Sequence, residues 1–272
     1  QWVTDFLQQE GGNFPVADKL IEVAEYYGFD GWFINQETAG GNSGTAQLMR
    51  DFMAYVQENS DIRLMWYDAM TESGSISWQN ALNASNDMFF QDDALISNEL
   101  FLNFWWSAYG LTASANHAVS LGRSPYDLYA GIDVQANGYN TNVNWSGLFP
   151  ESQAHKMSLG LYCPNWTYSN AADHDDFLER ASRFWVGANG NPANTSSASP
   201  WKGMAHYVPA KSAVTQVPFV TNFNLGQGHF YHIRSVEAQN GEWNNRSLQD
   251  ILPTWMWVNE SSGTPLTPQF DW

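Results

Sequence analysis

Runs of strand length alternate with amphipathic helical stretches along most of this 272-residue chain, and no other feature constrains its fold as strongly. Apolar and aromatic runs fall at Asp30 to Gln36, Ile62 to Asp68, Leu100 to Trp106, Leu128 to Gln135, Met157 to Cys163 and Pro218 to Leu225. The first helix opens at Pro15, a residue favoured in the first turn. It carries Val16, Leu20, Ile21, Ala24 and Tyr27 on one stripe and stops at Gly28. Thr45 to Asn59 reads as a second helix with Leu48, Phe52, Tyr55 and Val56 inward, and Ala113 to Leu121 and Asp175 to Val186 as further ones. Strands separated by helical crossovers can pair only in parallel, so the pattern predicts an α/β fold with a parallel sheet. At this length a (β/α)8 TIM barrel is the expected form, with six of its strands legible. From Pro253 the chain turns rich in Ser, Gly, Pro and Thr and reads as a linker, which leaves 1–252 as the barrel and 253–272 as a separate tail.

In a barrel the C-terminal strand ends gather at one rim, where active sites form. Here those ends carry Asn35 and Glu37, Tyr67 and Asp68, Trp105 and Trp106, Asp133 and Gln135, and Tyr162. The first pair is the most specific. Side chains alternate along a strand, so Phe33, Asn35 and Glu37 share one face, with Trp32, Ile34 and Gln36 on the other. Asn35 and Glu37 then stand with Cα atoms roughly 6.5–7 Å apart, a spacing suited to neighbouring atoms of one sugar ring. Glu37 is expected to be buried among Phe33, Trp32 and the cleft tryptophans.

Composition narrows the substrate. A net charge of −17 disfavours nucleic acid and anionic membranes, which select basic surfaces. No apolar run approaches the length of a membrane span. Aromatic residues make up 15%, including 14 tryptophans, more than a core readily absorbs, so some are expected on a cleft where sugars stack on rings. Cys163 is the single cysteine, which excludes an intrachain disulfide. Asp173, His174, Asp175 and Asp176 precede a helical pattern and are read as its cap rather than as metal ligands. No metal or cofactor is expected.

The segment YGFDGWFINQE (Tyr27 to Glu37) resembles the signature of glycoside hydrolase family 85, the endo-β-N-acetylglucosaminidases that cut between the two core GlcNAc residues of N-glycans. The likeness continues through LMWYDAM, DMFFQDD, LFLNFWW, LYAGIDVQANG and PFVTNFNLGQG, and so covers Asn13 to about Trp257. It implies a (β/α)8 barrel whose first strands lie before this chain, with residues 253–272 a linker or the start of a β-sandwich module. It also implies that Glu37 is the general acid/base, that Asn35 orients the 2-acetamido group of the substrate, and that Tyr67 assists that amide. Trp78 and Trp106 match aromatic walls of the glycan cleft; Trp105, Asp133, Tyr162 and Trp166 are further candidate substrate-binding residues. The implied partners are N-glycans of glycoproteins, with no nucleic acid and no membrane, and a downstream carbohydrate-binding or β-sandwich module. An extracellular or cell-surface site is expected, a cytoplasmic one being the alternative. Two other readings stay open: a two-carboxylate glycosidase pairing Glu37 with Asp68 or Asp133, and a catalytically silent glycan-binding barrel.

Overall fold

Five of the six expected strands form one parallel sheet in the order β1-β2-β3-β4-β5. They are β1 (Gly31–Ile34), β2 (Arg63–Tyr67), β3 (Glu99–Leu102), β4 (Leu128–Asp133) and β5 (Ser158–Tyr162). The computed structural model describes residues 2–191, 194, 196, 199–208, 217–221, 223, 224, 226–234, 236–245 and 248, and the backbone of 255–257, 260, 261, 264 and 265. Two units emerge, Gln1–Ala136 with Thr141–Pro164, and Asn137–Asn140 with Asn165–Trp272.

The first unit holds the sheet, the helices α1 (Trp2–Phe6), α2 (Pro15–Tyr27), α3 (Ser43–Asn59) and α4 (Ala108–Ser120), and the single turn α5 (Trp145–Leu148). Helix α2 has the expected bounds: Pro15 opens it, and Gly28 closes it at φ 72°, a left-handed cap that glycine takes without a Cβ clash. Its buried side is narrower than expected. Ala17 and Ala24 are fully buried, whereas Tyr27 is exposed and stacks on Phe29 instead. Helix α3 starts two residues early because Asn42 and Thr45 form a reciprocal capping box.

Period-2 alternation sorts the strand side chains onto two faces. On one face Leu64, Trp66, Leu100, Leu102, Leu128 and Ala130 are fully buried. Trp66 stacks on Phe89 at 4.5 Å between ring centroids, and Phe52, Met49, Met53 and Phe90 complete the surrounding core. Burying a large apolar side chain stabilises by about 1.5–3 kcal/mol, so this face supplies much of the driving force. On the opposite face Phe33, Met65, Tyr67, Phe101 and Tyr129 gather around a smaller aromatic cluster.

The second unit contains α6 (Trp166–Ser169), α7 (His174–Trp185) and α8 (Met204–Tyr207). Asp173 caps α7, its carboxylate accepting from the Asp176 N–H at 2.9 Å. Phe184 and Trp201 pack at 4.8 Å, and the Trp201 indole donates to the Phe184 carbonyl at 2.9 Å. The sixth expected strand departs from the parallel sheet. Within Pro218 to Leu225, β6 (Phe219–Thr221) pairs antiparallel with β9 (Trp255–Trp257) in a separate two-stranded ladder, and Leu225 lies outside the described residues. Its polar residues, Thr221, Asn222 and Asn224, break the continuous apolar sequence expected of a strand covered on both faces. A hairpin of β7 (Gln227–Ile233) and β8 (Val236–Asn244) also belongs to this unit. The tail 253–272, expected as a linker or module start, lies outside the described residues apart from short backbone stretches.

Candidate active site

Strand β1 ends its ladder at Ile34, and the chain continues extended through Asn35, Gln36 and Glu37. Gln36 is buried and folds back on Thr38: its Nε2 donates to the Thr38 carbonyl at 2.9 Å and its Oε1 accepts from the Thr38 N–H at 3.3 Å. With Gln36 pinned on one side, alternation sends Asn35 and Glu37 to the other. They meet there, Asn35 Nδ2 donating to Glu37 Oε2 at 3.2 Å. The second carboxylate oxygen accepts from the Trp78 indole N–H, also at 3.2 Å. Both Asn35 and Glu37 are exposed, against the expectation that Glu37 is buried. The aromatic residues surround the carboxylate without covering it, leaving room for a ligand.

Two adjoining depressions share Glu37 and Tyr67, and Asn35 lines the first of them. A cleft of about 540 Å³ is lined by Phe33, Asn35, Glu37, Tyr67, Phe101, Phe104, Tyr129 and Tyr162, with Met65 and the β5 backbone below. A shallower one of about 410 Å³ is bounded by Glu37, Tyr67, Trp78, Asn80, Asn103 and Trp105. The first is mainly aromatic with a polar end; the second mixes amides with two indoles. An uncharged polyol with apolar C–H faces suits such walls better than a phosphate or a metal does. Among the described residues no group of three or more His, Cys, Asp or Glu side chains could hold a metal ion. No helix among them is long and apolar enough to cross a membrane.

Tyr67 is almost fully buried and its hydroxyl donates to Asn103 Oδ1 at 2.8 Å. Its pKa is pushed up to about 12, first by burial and then by the negative charges of Glu37 and Asp68. The phenol therefore stays a neutral donor throughout the physiological range.

Phe101 forms the floor, and two glycines make its position possible. A Cβ on Gly131 would lie 2.6 Å from the Phe101 ring, and one on Gly160 would lie 2.2 Å from it. Strand β4, beside β3, and β5, the next one along, are thus hollowed where the ring lies. We expect Gly160→Ala to push the ring into the cleft, destabilising the fold by about 1–3 kcal/mol. Urea unfolding measures that cost, and a raised KM for the cleft ligand should accompany it.

The remaining expected residues divide. Trp78, Trp105 and Tyr162 line the two depressions, Trp105 being 83% exposed, as a stacking platform requires. Trp106 is instead a half-buried brace whose indole donates to the Gly131 carbonyl at 2.7 Å, tying β3 to β4, and it is not among the lining residues. Asp133 forms a local turn, accepting from the Gln135 N–H at 2.9 Å, and also stays outside the lining. Trp166 belongs to the second unit and is buried. It meets Tyr139 edge-on at 5.0 Å and carries Arg180 over its ring at 5.3 Å, which corrects the expectation of a sugar-stacking wall.

Asn80, Asn103, Phe104 and Tyr129 were not foreseen. Asn103 has a readable signal, a lone amide inside LFLNFWW at the spacing that shares a face with Phe101. Asn80 has none, because a loop position with φ 54° follows from tertiary contacts.

Comparison with known proteins gives the same picture. The model of "Glycosyl hydrolase family 85" matches residues 1–231. The cytosolic endo-beta-N-acetylglucosaminidase of Gallus gallus is 31% identical over 249 residues, covering 88% of this chain and 30% of that protein. The Homo sapiens protein of the same name is 28% identical over 249 residues, with the same coverages of 88% and 30%. The crystal structure of the glycoside hydrolase domain of Endo-D from Streptococcus pneumoniae R6 has a TM-score of 0.83 at 34% identity, over 96% of this chain and 43% of that one. The chain thus spans about a third of the length of the curated relatives it matches. The match to Endo-D and the parallel five-stranded sheet agree on an α/β fold of the (β/α)-barrel kind. Family model, relatives and fold converge: this chain belongs to glycosyl hydrolase family 85.

Proposed function

We propose that this chain carries the catalytic centre of an endo-β-N-acetylglucosaminidase that hydrolyses the β-1,4 bond between the two core GlcNAc residues of N-glycans. The observation that carries the reading is the pairing of one carboxylate with one amide, Glu37 and Asn35 in hydrogen-bond contact, at the end of an aromatic cleft. Most glycosidases need two carboxylates, and substrate-assisted enzymes acting on 2-acetamido sugars are among the exceptions. In that exception the substrate's own acetamido oxygen attacks C1 and displaces the leaving oxygen. The resulting oxazolinium ion is then opened by water. A tethered nucleophile gains a large effective concentration, which removes the need for a second acid.

Each residue then has one task. Glu37 gives its proton to the departing oxygen and later takes one from water. Asn35 holds the acetamido group in the attacking orientation and hydrogen-bonds the charge that develops on it. Tyr67, held neutral with its proton on Asn103, accepts a second hydrogen bond from the N–H of that amide. Trp78, Trp105 and Tyr162 supply stacking walls for the sugars.

Neither aspartate considered for it favours the two-carboxylate alternative. Asp68 is 1% exposed with both oxygens occupied by N–H donors, and Asp133 is engaged in its own turn. The silent-barrel alternative leaves the contact between Asn35 and Glu37 without a use. An oxazolinium ion can also be opened by a sugar hydroxyl, so transfer to a GlcNAc acceptor belongs to the proposal. The curated relatives are named cytosolic, which favours the cytoplasmic alternative over an extracellular or cell-surface site.

Two displacements at C1 retain configuration. Proton NMR of the fresh product is expected to show the β-anomer first, with the α-anomer growing only by mutarotation. An α-anomer at the earliest time point would contradict the substrate-assisted route.

A further inference from the structure

Asp68 is the most completely engaged buried group of the first unit, and the mechanism above does not use it. It is 1% exposed. Its Oδ1 accepts from the Gln79 N–H at 3.2 Å and from Asn86 Nδ2 at 2.9 Å, and its Oδ2 accepts from the Asn80 N–H at 2.6 Å. Burial pushes its pKa above the usual carboxylate range while these bonds pull it down.

The donors come from the loop that follows β2, and that loop carries a partner of the candidate general acid/base. Trp78 precedes Gln79 directly, and its indole N–H reaches Glu37 at 3.2 Å. Asn103 accepts from the Tyr67 hydroxyl at 2.8 Å. Asn80 sits at φ 54°, a conformation that side chains bearing a Cβ disfavour, and it is held there from both sides. Its N–H binds Asp68, its Oδ1 accepts from the Trp105 N–H at 2.9 Å, and its Nδ2 donates to the Trp78 carbonyl at 3.3 Å. Tyr67 and Asp68 are adjacent in sequence and point to opposite faces. The carboxylate therefore lies behind the wall whose front carries the phenol.

We propose that Asp68 is a positioning residue that fixes Trp78 against Glu37, an inference that rests on the function proposed above. No neutral side chain of the same shape replaces it. An amide has one acceptor oxygen, so in Asp68→Asn the new NH2 group faces either the Asn80 N–H or the pair from Gln79 and Asn86. The first orientation loses the Asn80 bond and the second loses both bonds at the other oxygen.

The test uses the full chain, with Asp68→Asn, Trp78→Phe and the double variant. Asp68→Asn is expected to lower kcat by about tenfold or more and to leave KM within about threefold, because substrate contacts stay while the catalytic groups are misaligned. The two substitutions should be less than additive, since both act partly through one indole. Independently of turnover, the Trp78 indole N–H resonance, identified by its loss in Trp78→Phe, is expected to shift in Asp68→Asn. The resonances of the buried Trp66 and Trp201 should stay in place. Wild-type kcat with an unmoved Trp78 resonance would overturn the proposal. Displacement of all indole resonances together would also overturn it, by making Asp68 a residue of the fold alone. If the wild type itself leaves N-glycans uncut, the functional reading fails, and the indole shift alone decides the positioning role.

Discussion

Glu37→Gln is expected to reduce hydrolysis of an intact N-glycan by about 10²–10⁴-fold, the usual contribution of a positioned general acid/base. The substitution is nearly isosteric. Its amide can still accept from Trp78, and it sits on a solvent-exposed strand extension, so folding should be unaffected. It cannot deliver a proton to the leaving oxygen. The loss should therefore appear in kcat, with glycan affinity close to wild type. Steady-state kinetics on a glycopeptide, with calorimetric binding of the same glycopeptide to the variant, separates the two. A variant with kcat near wild type would remove Glu37 from the chemistry.

Asn35→Ala is expected to cost about 10²–10³-fold in kcat, the scale seen when a group stabilising developing charge is removed. Here the effect has two parts. The acetamido group loses the partner that holds it below C1, and Glu37 loses a hydrogen bond at 3.2 Å. A pre-formed sugar oxazoline has already completed the step that Asn35 assists. Transfer from that donor to a GlcNAc acceptor is therefore expected to survive in Asn35→Ala far better than hydrolysis of the glycan. Equal losses on both substrates, measured by product chromatography, would show that Asn35 acts only on binding.

The order and direction of the sheet were readable because parallel strands covered on both faces are continuous apolar runs standing between helical patterns. The run Leu100 to Trp106 nevertheless overshoots β3, which ends at Leu102. Glycine at 28 and proline at 15 fixed α2 to the residue. What could not be read was pairing at a distance. Phe219–Thr221 has strand composition, yet its partner is Trp255–Trp257 in an antiparallel ladder, a choice made by segments more than thirty residues apart. The centre of the site was legible for a geometric reason: alternation after β1 brings Asn35 and Glu37 to one side whatever else the chain does.

Its walls were less legible, since an indole at a strand end has several possible directions. Trp105 turns outward, its neighbour Trp106 turns back onto the Gly131 carbonyl, and Trp166 is covered by Arg180 and Tyr139. Asp68 illustrates the same limit. Its sequence position admits a second catalytic acid, and only the N–H groups of residues 79, 80 and 86 show that its oxygens are already taken.

The measurement closest to the central claim is mass spectrometry of a denatured glycoprotein bearing high-mannose N-glycans, after incubation with the wild type and with Glu37→Gln. The account predicts that the wild type leaves one GlcNAc on each modified asparagine and that the variant leaves the glycans intact. Intact glycans in both samples, or the same trimming by both proteins, would contradict it.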